Sequence, residues 1–183
     1  GVLKKGVTSD TQDMLDPATE YVVYAYGLSK RGEVTTSLYK QVFTTLATEL
    51  TELNFEIAVS DIGYDTATVT VTPDNDKAIY FVNVFSYDDY EYYGGDETAF
   101  AEHLTQLRNY YYNLGATADQ MVANLGYVGT KSLQVKNLEA GTKYMAYAIG
   151  IDERFIANSE ATFVEFETPA VTLSDLTFEV DIT

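Results

Sequence analysis

The sequence contains no cysteine and no tryptophan, and it has a single histidine, His103. Without cysteine the chain has no disulfide framework, and no metal or thiol site can depend on that residue. Basic side chains are also scarce, because 11 lysines and arginines stand against 28 acidic residues and the formal net charge is −17. A surface of this charge repels phosphate backbones and anionic membranes, so we expect no nucleic-acid partner.

Long apolar runs are missing as well. No segment approaches the roughly 20 consecutive apolar residues that a membrane-spanning helix needs, so we expect no membrane span in this chain. The opening residues, GVLKKGVTSD, also lack the apolar centre of a signal peptide.

What the chain does contain is a large share of aromatic residues, with 16 tyrosines and nine phenylalanines. Together with abundant valine and threonine, they favour strands. Residues 53–59 and 66–72 alternate apolar with polar side chains, which is the pattern of a half-buried strand. Residues 78–85 (AIYFVNVF) are apolar enough to form a buried strand. Three more strands are predicted at residues 132–138, 142–148 and 161–168. The fold class is therefore mostly β.

Residues 86–130 lie between the third and fourth of these strands and follow a helical period instead. A first helix is predicted to begin near Asp96, which can cap its start, and to end at Gly115. Its apolar face is formed by Phe100, Leu104, Leu107 and Tyr111. A second, shorter helix is predicted from Thr117 and Gln120, which have the spacing of a capping box.

One phrase of thirteen residues occurs twice, as LDPATEYVVYAYG at Leu15–Gly27 and as LEAGTKYMAYAIG at Leu138–Gly150. Leu138 lies 123 positions after Leu15, and at that offset residues 15–60 align with residues 138–183 without a gap. This period is the length of a whole domain and is too long for a solenoid repeat. The predicted organisation is the C-terminal half of a first module in residues 1–45, a complete module in residues 46–169 with a helical insertion at 86–130, and the first strand of a third module in residues 170–183.

The repeated phrase resembles the tyrosine corner of fibronectin type III domains, where a leucine precedes a turn and a tyrosine six residues later begins strand F. These residues are Leu138 and Tyr144 here, and Leu15 and Tyr21 in the first copy. The family's usual tryptophan in strand B is missing, and Val71 lies near its place. The resemblance implies a fibronectin type III-like β-sandwich with a two-helix insertion between strands C and E. It also implies that the Tyr144 hydroxyl bonds to the backbone near residues 138–141.

The helical insertion and the closing Phe43-Thr44-Thr45 make the chain similar to tandem modules in surface lipoproteins of Bacteroides-type bacteria. This resemblance implies an exported protein, located at the cell surface or in the periplasm. Its module would be a non-catalytic spacer or an adhesion or glycan-binding surface. The alternative is an accessory domain of a larger enzyme whose catalytic part lies outside this chain. We expect the chain itself not to be an enzyme and to need no cofactor.

Six tyrosines of the insertion are candidate ligand-binding residues: Tyr87, Tyr90, Tyr92, Tyr93, Tyr110 and Tyr112. Tyrosine rings offer flat amphipathic faces, and nearby carboxylates accept hydrogen bonds from hydroxyl groups, so a glycan or protein ligand is one interpretation. The other interpretation is that these rings pack the helices onto the sandwich, because a helix added to a sheet must bury one face.

Two groups of acidic residues have a functional and a structural interpretation. Part of a calcium-binding loop is suggested by Asp74, Asn75 and Asp76 with Asp61 and Asp65, but the EF-hand pattern is incomplete and a polar turn is the alternative. A glycosidase-type pair of carboxylates is suggested by Glu91, Asp96, Glu97 and Glu102. The alternative for these four is a solvated helix start, where acidic residues favour the helix dipole. We therefore assign no metal ligand and no catalytic residue.

The predicted core contains Phe55, Ile57, Val69, Val71, Tyr80, Val82, Phe100, Leu104, Leu107, Val135, Leu138, Tyr144, Ala146 and Phe166. Residues 1–45 lack strands A to C of their module, so the apolar face with Val22, Tyr24, Tyr26 and Val42 should be covered by protein. Residues 170–183 are predicted to supply a strand to the half-sandwich of a neighbouring copy.

Overall fold

A computed structural model of the chain describes residues 3–9, 11–12 and 14–172. Within them the protein is mostly β, as predicted. The elements, in chain order, are β1 (Glu20–Ala25), β2 (Tyr39–Thr44), β3 (Phe55–Ser60), β4 (Thr66–Pro73), β5 (Tyr80–Ser86), α1 (Tyr87–Tyr92), α2 (Ala99–Asn113), α3 (Ala118–Leu125), β6 (Gly126–Tyr127), β7 (Lys131–Lys136), β8 (Lys143–Ile151) and β9 (Ala157–Glu167). None of the helices in the described ranges is long and apolar enough to cross a membrane.

The strands form two larger sheets and one hairpin. The first sheet has the order β3-β4-β7, the second has the order β6-β5-β8-β9, and β1 pairs with β2 alone. All pairings are antiparallel. Strand β4 shows how sequence sets the register, because its threonines alternate with buried Ala67, Val69 and Val71. Alternation of this kind puts one face of a strand on the core and the other towards water.

The two larger sheets pack face to face around one hydrophobic core. Phe55, Val69 and Val71 from the first sheet meet Tyr80 and Ala146 from the second. Burial of these side chains is the main stabilising term of such a sandwich. Of the predicted core, Ile57, Val135 and Leu138 lie at its margin and are only partly buried.

The second sheet is covered on its other face by the helices. Phe81 and Tyr147 of the sheet contact a cluster that includes Phe100 and Leu104 of α2 and Met121 of α3. Strand β8 is therefore buried on both faces, which explains why its sequence is a continuous apolar run rather than an alternating one. The described residues from β3 to β9 form three layers, in the order sheet, sheet, helices.

The predicted apolar face of α2 is confirmed. Phe100 and Leu104 are buried, and Leu107 and Tyr111 are partly buried against the same cluster. The helix ends at Asn113, two residues before the predicted stop at Gly115, whose φ is +90°. Helix α3 begins with the predicted capping box, in which Thr117 and Gln120 each bond to the other's backbone N–H.

The sequence predicted two helices in residues 86–130, and the structure has three. The additional helix is α1, which Ser86 caps by accepting a hydrogen bond from the Asp89 N–H. It escaped prediction because its residues, YDDYEY, carry no aliphatic side chain. Asp96 also differs from expectation: its carboxylate accepts a 2.8 Å bond from the Thr98 N–H in the turn before α2, and the helix itself begins at Ala99.

The hairpin β1–β2 carries apolar residues that the described part of the chain leaves exposed. Val22, Tyr24, Tyr26 and Val42 are all exposed, so no described segment covers this face. The residues that were predicted to complete a half-sandwich in a neighbouring copy, 170–183, lie largely outside the described residues. The exchange of that strand stays a prediction.

Candidate functional site

The turn before β8 is held by a hydrogen-bonded corner built around Tyr144. The Glu139 N–H donates to the Tyr144 hydroxyl at 2.7 Å, and the Thr168 hydroxyl donates to the Glu139 carbonyl at 2.5 Å. Thr168 in turn accepts a 3.0 Å bond from the Thr142 N–H. The Tyr144 ring stacks on Phe166 with centroids 5.6 Å apart. The predicted contact between this hydroxyl and the backbone near residues 138–141 is confirmed.

The same corner occurs 123 residues earlier, around Tyr21. The Asp16 N–H donates to the Tyr21 hydroxyl at 2.8 Å, and the Thr45 hydroxyl donates to the Asp16 carbonyl at 2.6 Å. Thr45 accepts a 3.0 Å bond from the Thr19 N–H, and the Tyr21 ring stacks on Phe43 at 5.9 Å. Each bond and each ring contact has its counterpart at the repeat distance.

The backbone of the two corners also follows the same path. Met14 and Asn137, which are equivalent, have φ of 57° and 62°, and the equivalent Ala18 and Gly141 have φ of 48° and 65°. Non-glycine residues rarely adopt positive φ, because the Cβ then crowds the backbone. The corner therefore holds two non-glycine residues in this conformation in the first copy, Met14 and Ala18, and one in the second, Asn137.

The first corner contacts α2 through a buried ion pair. Arg108 is 1 % exposed, and its guanidinium donates to the carboxylate of Asp16. The Arg108 Nε has no hydrogen-bond partner among the described residues. Met14 packs against the helical cluster on the same side. A buried arginine is tolerated only when its charge is paired, so Asp16 has a structural role beyond its own turn.

A cleft of about 1050 Å³ opens beside this ion pair. Its walls come from the first corner on one side and from α2, α3 and the β8–β9 turn on the other. The lining residues include Leu15, Pro17, Leu46, Arg108, Tyr112 and Ile156. The cleft thus lies between the corner of Asp16 and the helix of Arg108, two residues that are 92 positions apart, and it is lined from both sides.

The six candidate tyrosines do not form one surface. Tyr90 and Tyr93 pack inward, with ring centroids 6.4 Å and 6.3 Å from that of Phe85, as the packing interpretation predicts. Tyr87 and Tyr92 are exposed, and Tyr92 shows 77 % of its surface to solvent. They lie on α1, beside the start of α2.

Tyr110 and Tyr112 are also exposed, but they lie at the other end of α2. His103 contacts Tyr93, which follows α1 directly. His103 precedes Tyr110 by two helical turns of α2, which is roughly 10 Å. The structure therefore separates the predicted ligand residues into an α1 patch (Tyr87, Tyr92) and an α2 patch (Tyr110, Tyr112), and Tyr112 lines the cleft.

His103 completes the burial of Tyr147 instead of joining a catalytic group. Its Nδ1 lies 2.8 Å from the Tyr147 hydroxyl, which is buried in the sheet–helix layer. Burial lowers the pKa of the His103 imidazole, and the Asp89 carboxylate partly opposes that shift. Burial also raises the pKa of the Tyr147 phenol well above its ordinary value. Both groups are therefore neutral near pH 7, and the pair is an uncharged hydrogen bond.

The acidic candidates are not gathered into a site. Asp61 and Asp65 lie between β3 and β4, whereas Asp74 and Asp76 follow the far end of β4, roughly 25 Å away along an eight-residue strand. Within the described ranges, no three acidic or histidine side chains lie close enough together to hold a metal ion. The Asn54 side-chain amide bonds to the Asp74 carboxylate at 2.9 Å and lowers its pKa. This is the polar turn that was the alternative prediction.

The four acids considered as a glycosidase pair are all exposed on the helical layer, and none of them lines the cleft. A general acid of that kind needs a pKa raised by burial. The pKa of Asp96 is instead lowered by its bonds from Thr98. These residues fit the solvated helix start that was the alternative.

The sequence reasoning missed Arg108 and Asp16, which are 92 residues apart. One signal was present: the arginine interrupts an apolar face, four residues after Leu104, and no acid stands three or four positions from it. Ion pairs between residues three or four positions apart on a helix are the ones that a sequence can reveal. A basic residue on a buried stripe with no local partner indicates a distant one.

No protein-family model matches the chain, and no curated protein matches it. The sensor domain of the anti-sigma factor RsgI4 of Pseudobacteroides cellulosolvens is 12% identical, with a TM-score of 0.37 over 67% of this chain and 100% of that one. Domains d3–d4 of the rat CD45 extracellular region are 16% identical, with a TM-score of 0.31 over 92% of this chain and 74% of that one. The FN1–FN3 domains of chicken CNTN1 are 10% identical, with a TM-score of 0.34 over 86% of this chain and 46% of that one. Likenesses this weak carry no argument about fold or function.

Proposed function

We propose that the chain is part of a non-catalytic, fibronectin type III-like tandem-repeat protein. Residues 46–169 are one complete module, residues 1–45 are the last strands of the module before it, and residues 170–183 begin the next. The observation that supports this most strongly is the repeated corner. Tyr21 and Tyr144 accept the same bond from the equivalent residues Asp16 and Glu139.

The strand order supports the family assignment. Strands β3, β4 and β7 form one sheet and stand for A, B and E of the family, while β5, β8 and β9 form the other and stand for C, F and G. The helices α1 to α3 occupy the connection from β5 to β7, which is the place of an insertion between C and E. Because fold does not imply function, the role of the module rests on its surface.

The module boundaries can be tested by expressing two fragments separately. Residues 46–169 should give a dispersed NMR spectrum and one cooperative urea transition, because both hydrophobic clusters apart from Met14 fall inside that range. Residues 1–45 alone should be unfolded, because a lone hairpin is at best marginally stable in water. An unfolded 46–169 fragment would contradict the proposed organisation.

For the role of the module we propose a spacer that carries an adhesion or glycan-binding surface. The exposed rings of the α1 patch support this, since Tyr87 and Tyr92 stand beside the acidic residues Asp88, Asp89 and Glu91. Aromatic faces next to carboxylates suit sugar hydroxyls. Each of the two rings contacts an inward-packed neighbour on one side, Tyr87 on Tyr90 and Tyr92 on Tyr93, and Tyr92 still shows 77 % of its surface to solvent.

The glycan proposal is tested on a glycan array with three proteins. The parent should bind, Tyr92→Ala should lose binding because it removes the most exposed ring of the patch, and Tyr110→Ala should retain binding because it lies at the other end of α2. If the parent binds no glycan, the adhesion role is wrong and the spacer role remains.

We further propose that the exposed face of β1–β2 is completed by strand exchange. The candidate strand is residues 170–183, whose sequence repeats that of β3 and its flanks. In the complete module β3 lies against β8 and β9, and these are the counterparts of β1 and β2. Phe178→Asp should abolish a concentration-dependent dimer in light scattering, whereas a parent that is monomeric at all concentrations would overturn the idea.

We propose an exported location, at the cell surface or in the periplasm. The support is the resemblance of the sequence to surface lipoprotein modules, together with a strongly acidic surface. Fractionation of the source cells with an antibody against the chain would test it, and a cytosolic fraction would contradict it.

A further inference from the structure

We propose that the second corner, formed by Asn137, Glu139, Ala140, Gly141 and Pro169, is a docking surface for the helical insertion of a following module. The partner is a second copy of the module, and the group that it contributes is the arginine at the position of Arg108. This inference rests on the proposed tandem organisation and adds to it how consecutive modules are joined.

The structure already contains one contact between a corner and a helical insertion, here called the joint. There the corner of one copy is seated on α2 of the next copy, with Asp16 paired to Arg108. Asp16 keeps 34 % of its side-chain exposure in this joint, whereas Arg108 keeps 2 %. The corner thus presents a carboxylate at its surface, and the following module closes over it with a buried cation.

The other corner presents a carboxylate in the same place. Glu139 is the counterpart of Asp16, and its backbone N–H and carbonyl make the same bonds to a tyrosine and a threonine. The Glu139 side chain is longer than that of Asp16 by one methylene group. Glu139 is exposed in the described structure, and no ion pair to it is present among the described residues.

The backbone of the corner sets the direction in which the carboxylate points. The corner residues flanking Glu139 have the positive φ values of their counterparts around Asp16. The turn ends in the same way as well: the Gly141 N–H donates to the Pro169 carbonyl at 3.0 Å, as the Ala18 N–H does to Leu46 at 3.1 Å. An arginine approaching as Arg108 does would therefore meet Glu139 where Arg108 meets Asp16.

Charge supports this choice of partner. The chain has a formal net charge of −17, so two modules repel each other in general. A docking contact between them needs a specific basic group, and in this chain the buried cation of the insertion is that group. Removing the carboxylate should be costly, because the desolvated guanidinium then loses its counter-ion. Replacing the arginine by a carboxylate should also be costly, because two like charges then face each other.

The inference is tested with an extended protein in which a second copy of residues 61–183 follows Thr183. In repeat register, residues 170–183 then supply the first strand of the added module. We expect small-angle X-ray scattering to show one rigid particle, with the added insertion protected from amide exchange. Glu139→Arg in the complete module 46–169 should raise the rate of amide exchange in the added insertion about tenfold, and Arg108→Glu in the added module should do the same. The double variant should restore the slow exchange of the closed form.

The matched control is Glu139→Arg in the 183-residue chain. It should unfold at the urea midpoint of the parent, because the corner uses only the backbone of this residue. If both single variants of the extended protein match its parent, or if the double variant shows only the sum of the two effects, the docking inference is wrong and the tandem proposal stands. If the added module does not fold, both are wrong.

Discussion

The Tyr144 hydroxyl is the residue-scale feature on which the corner depends. It accepts the Glu139 N–H in a half-buried turn, and phenylalanine at this position would leave that donor without its partner. We expect Tyr144→Phe to lower the free energy of unfolding by about 0.5–1.5 kcal/mol in urea. Tyr110→Phe, which removes an exposed hydroxyl, should match the parent. If the urea midpoint of Tyr144→Phe equalled that of the parent, the Tyr144 hydroxyl would not stabilise the corner.

The Asp16–Arg108 pair gives a second residue-scale prediction. Asp16→Ala should cost about 1–3 kcal/mol, because Arg108 then stays buried without a counter-ion. In the background of Arg108→Met the same change should cost less than about 0.5 kcal/mol, since no buried charge remains. The four proteins form a double-mutant cycle in urea. Equal costs in both backgrounds would show that the two residues do not interact.

His103 predicts how stability depends on pH. Its pKa is lowered by burial, so as the pH falls the unfolded chain takes up the proton before the folded one. The free energy of unfolding therefore has its full value above about pH 7.5. It declines as the pH falls below the pKa of histidine in the unfolded chain, which is about 6.5, towards the lower pKa of the folded state. His103→Gln should flatten urea midpoints between pH 8 and about 5.5, above the range in which carboxylates titrate. A parent with no decline over that range would contradict the burial of this imidazole.

At the scale of elements, α3 depends on its capping box. Thr117 satisfies a backbone N–H that the helix itself leaves unpaired. Thr117→Ala should therefore lower the free energy of unfolding by about 1 kcal/mol. The matched control is Thr105→Ala within α2, where alanine is the better helix former and no loss is expected. Equal midpoints for Thr117→Ala and the parent would show that the box does not stabilise α3.

The elements that sequence predicted are those with a local signal. Alternation in β4, the capping box of α3 and the positive-φ glycine after α2 each lie within a few residues. Helix α1 and strand β6 gave no such signal, because one lacks aliphatic residues and the other has only two residues, paired to Tyr80 and Phe81.

The candidate site shows the same division between local and distant information. The corner was predictable, since its leucine and tyrosine stand six positions apart and occur twice. The ion pair across 92 residues was not, and neither was the separation of the six tyrosines, because both depend on how α2 lies across the second sheet. Long-range geometry of this kind leaves no periodic trace in a single sequence.

At the scale of the whole molecule, the two copies of the repeat differ in what covers them. Tyr147 is 0 % exposed beneath the helices, and its counterpart Tyr24 is 62 % exposed. The same contrast holds for the neighbouring residues of β8 and β1. Strand β1 therefore resembles β8 in sequence but lacks the cover that β8 has among the described residues.

The central claim is that one corner occurs twice in this chain, and amide hydrogen exchange at Asp16 and Glu139 tests it most directly. Each N–H donates to a tyrosine hydroxyl, so both should exchange more slowly than the amides of the exposed loops. Tyr21→Phe should accelerate exchange at Asp16 alone, and Tyr144→Phe should accelerate it at Glu139 alone. If either amide exchanges at the rate of an open loop in the parent, or is indifferent to its own tyrosine, the corner is not repeated and the tandem organisation loses its main support.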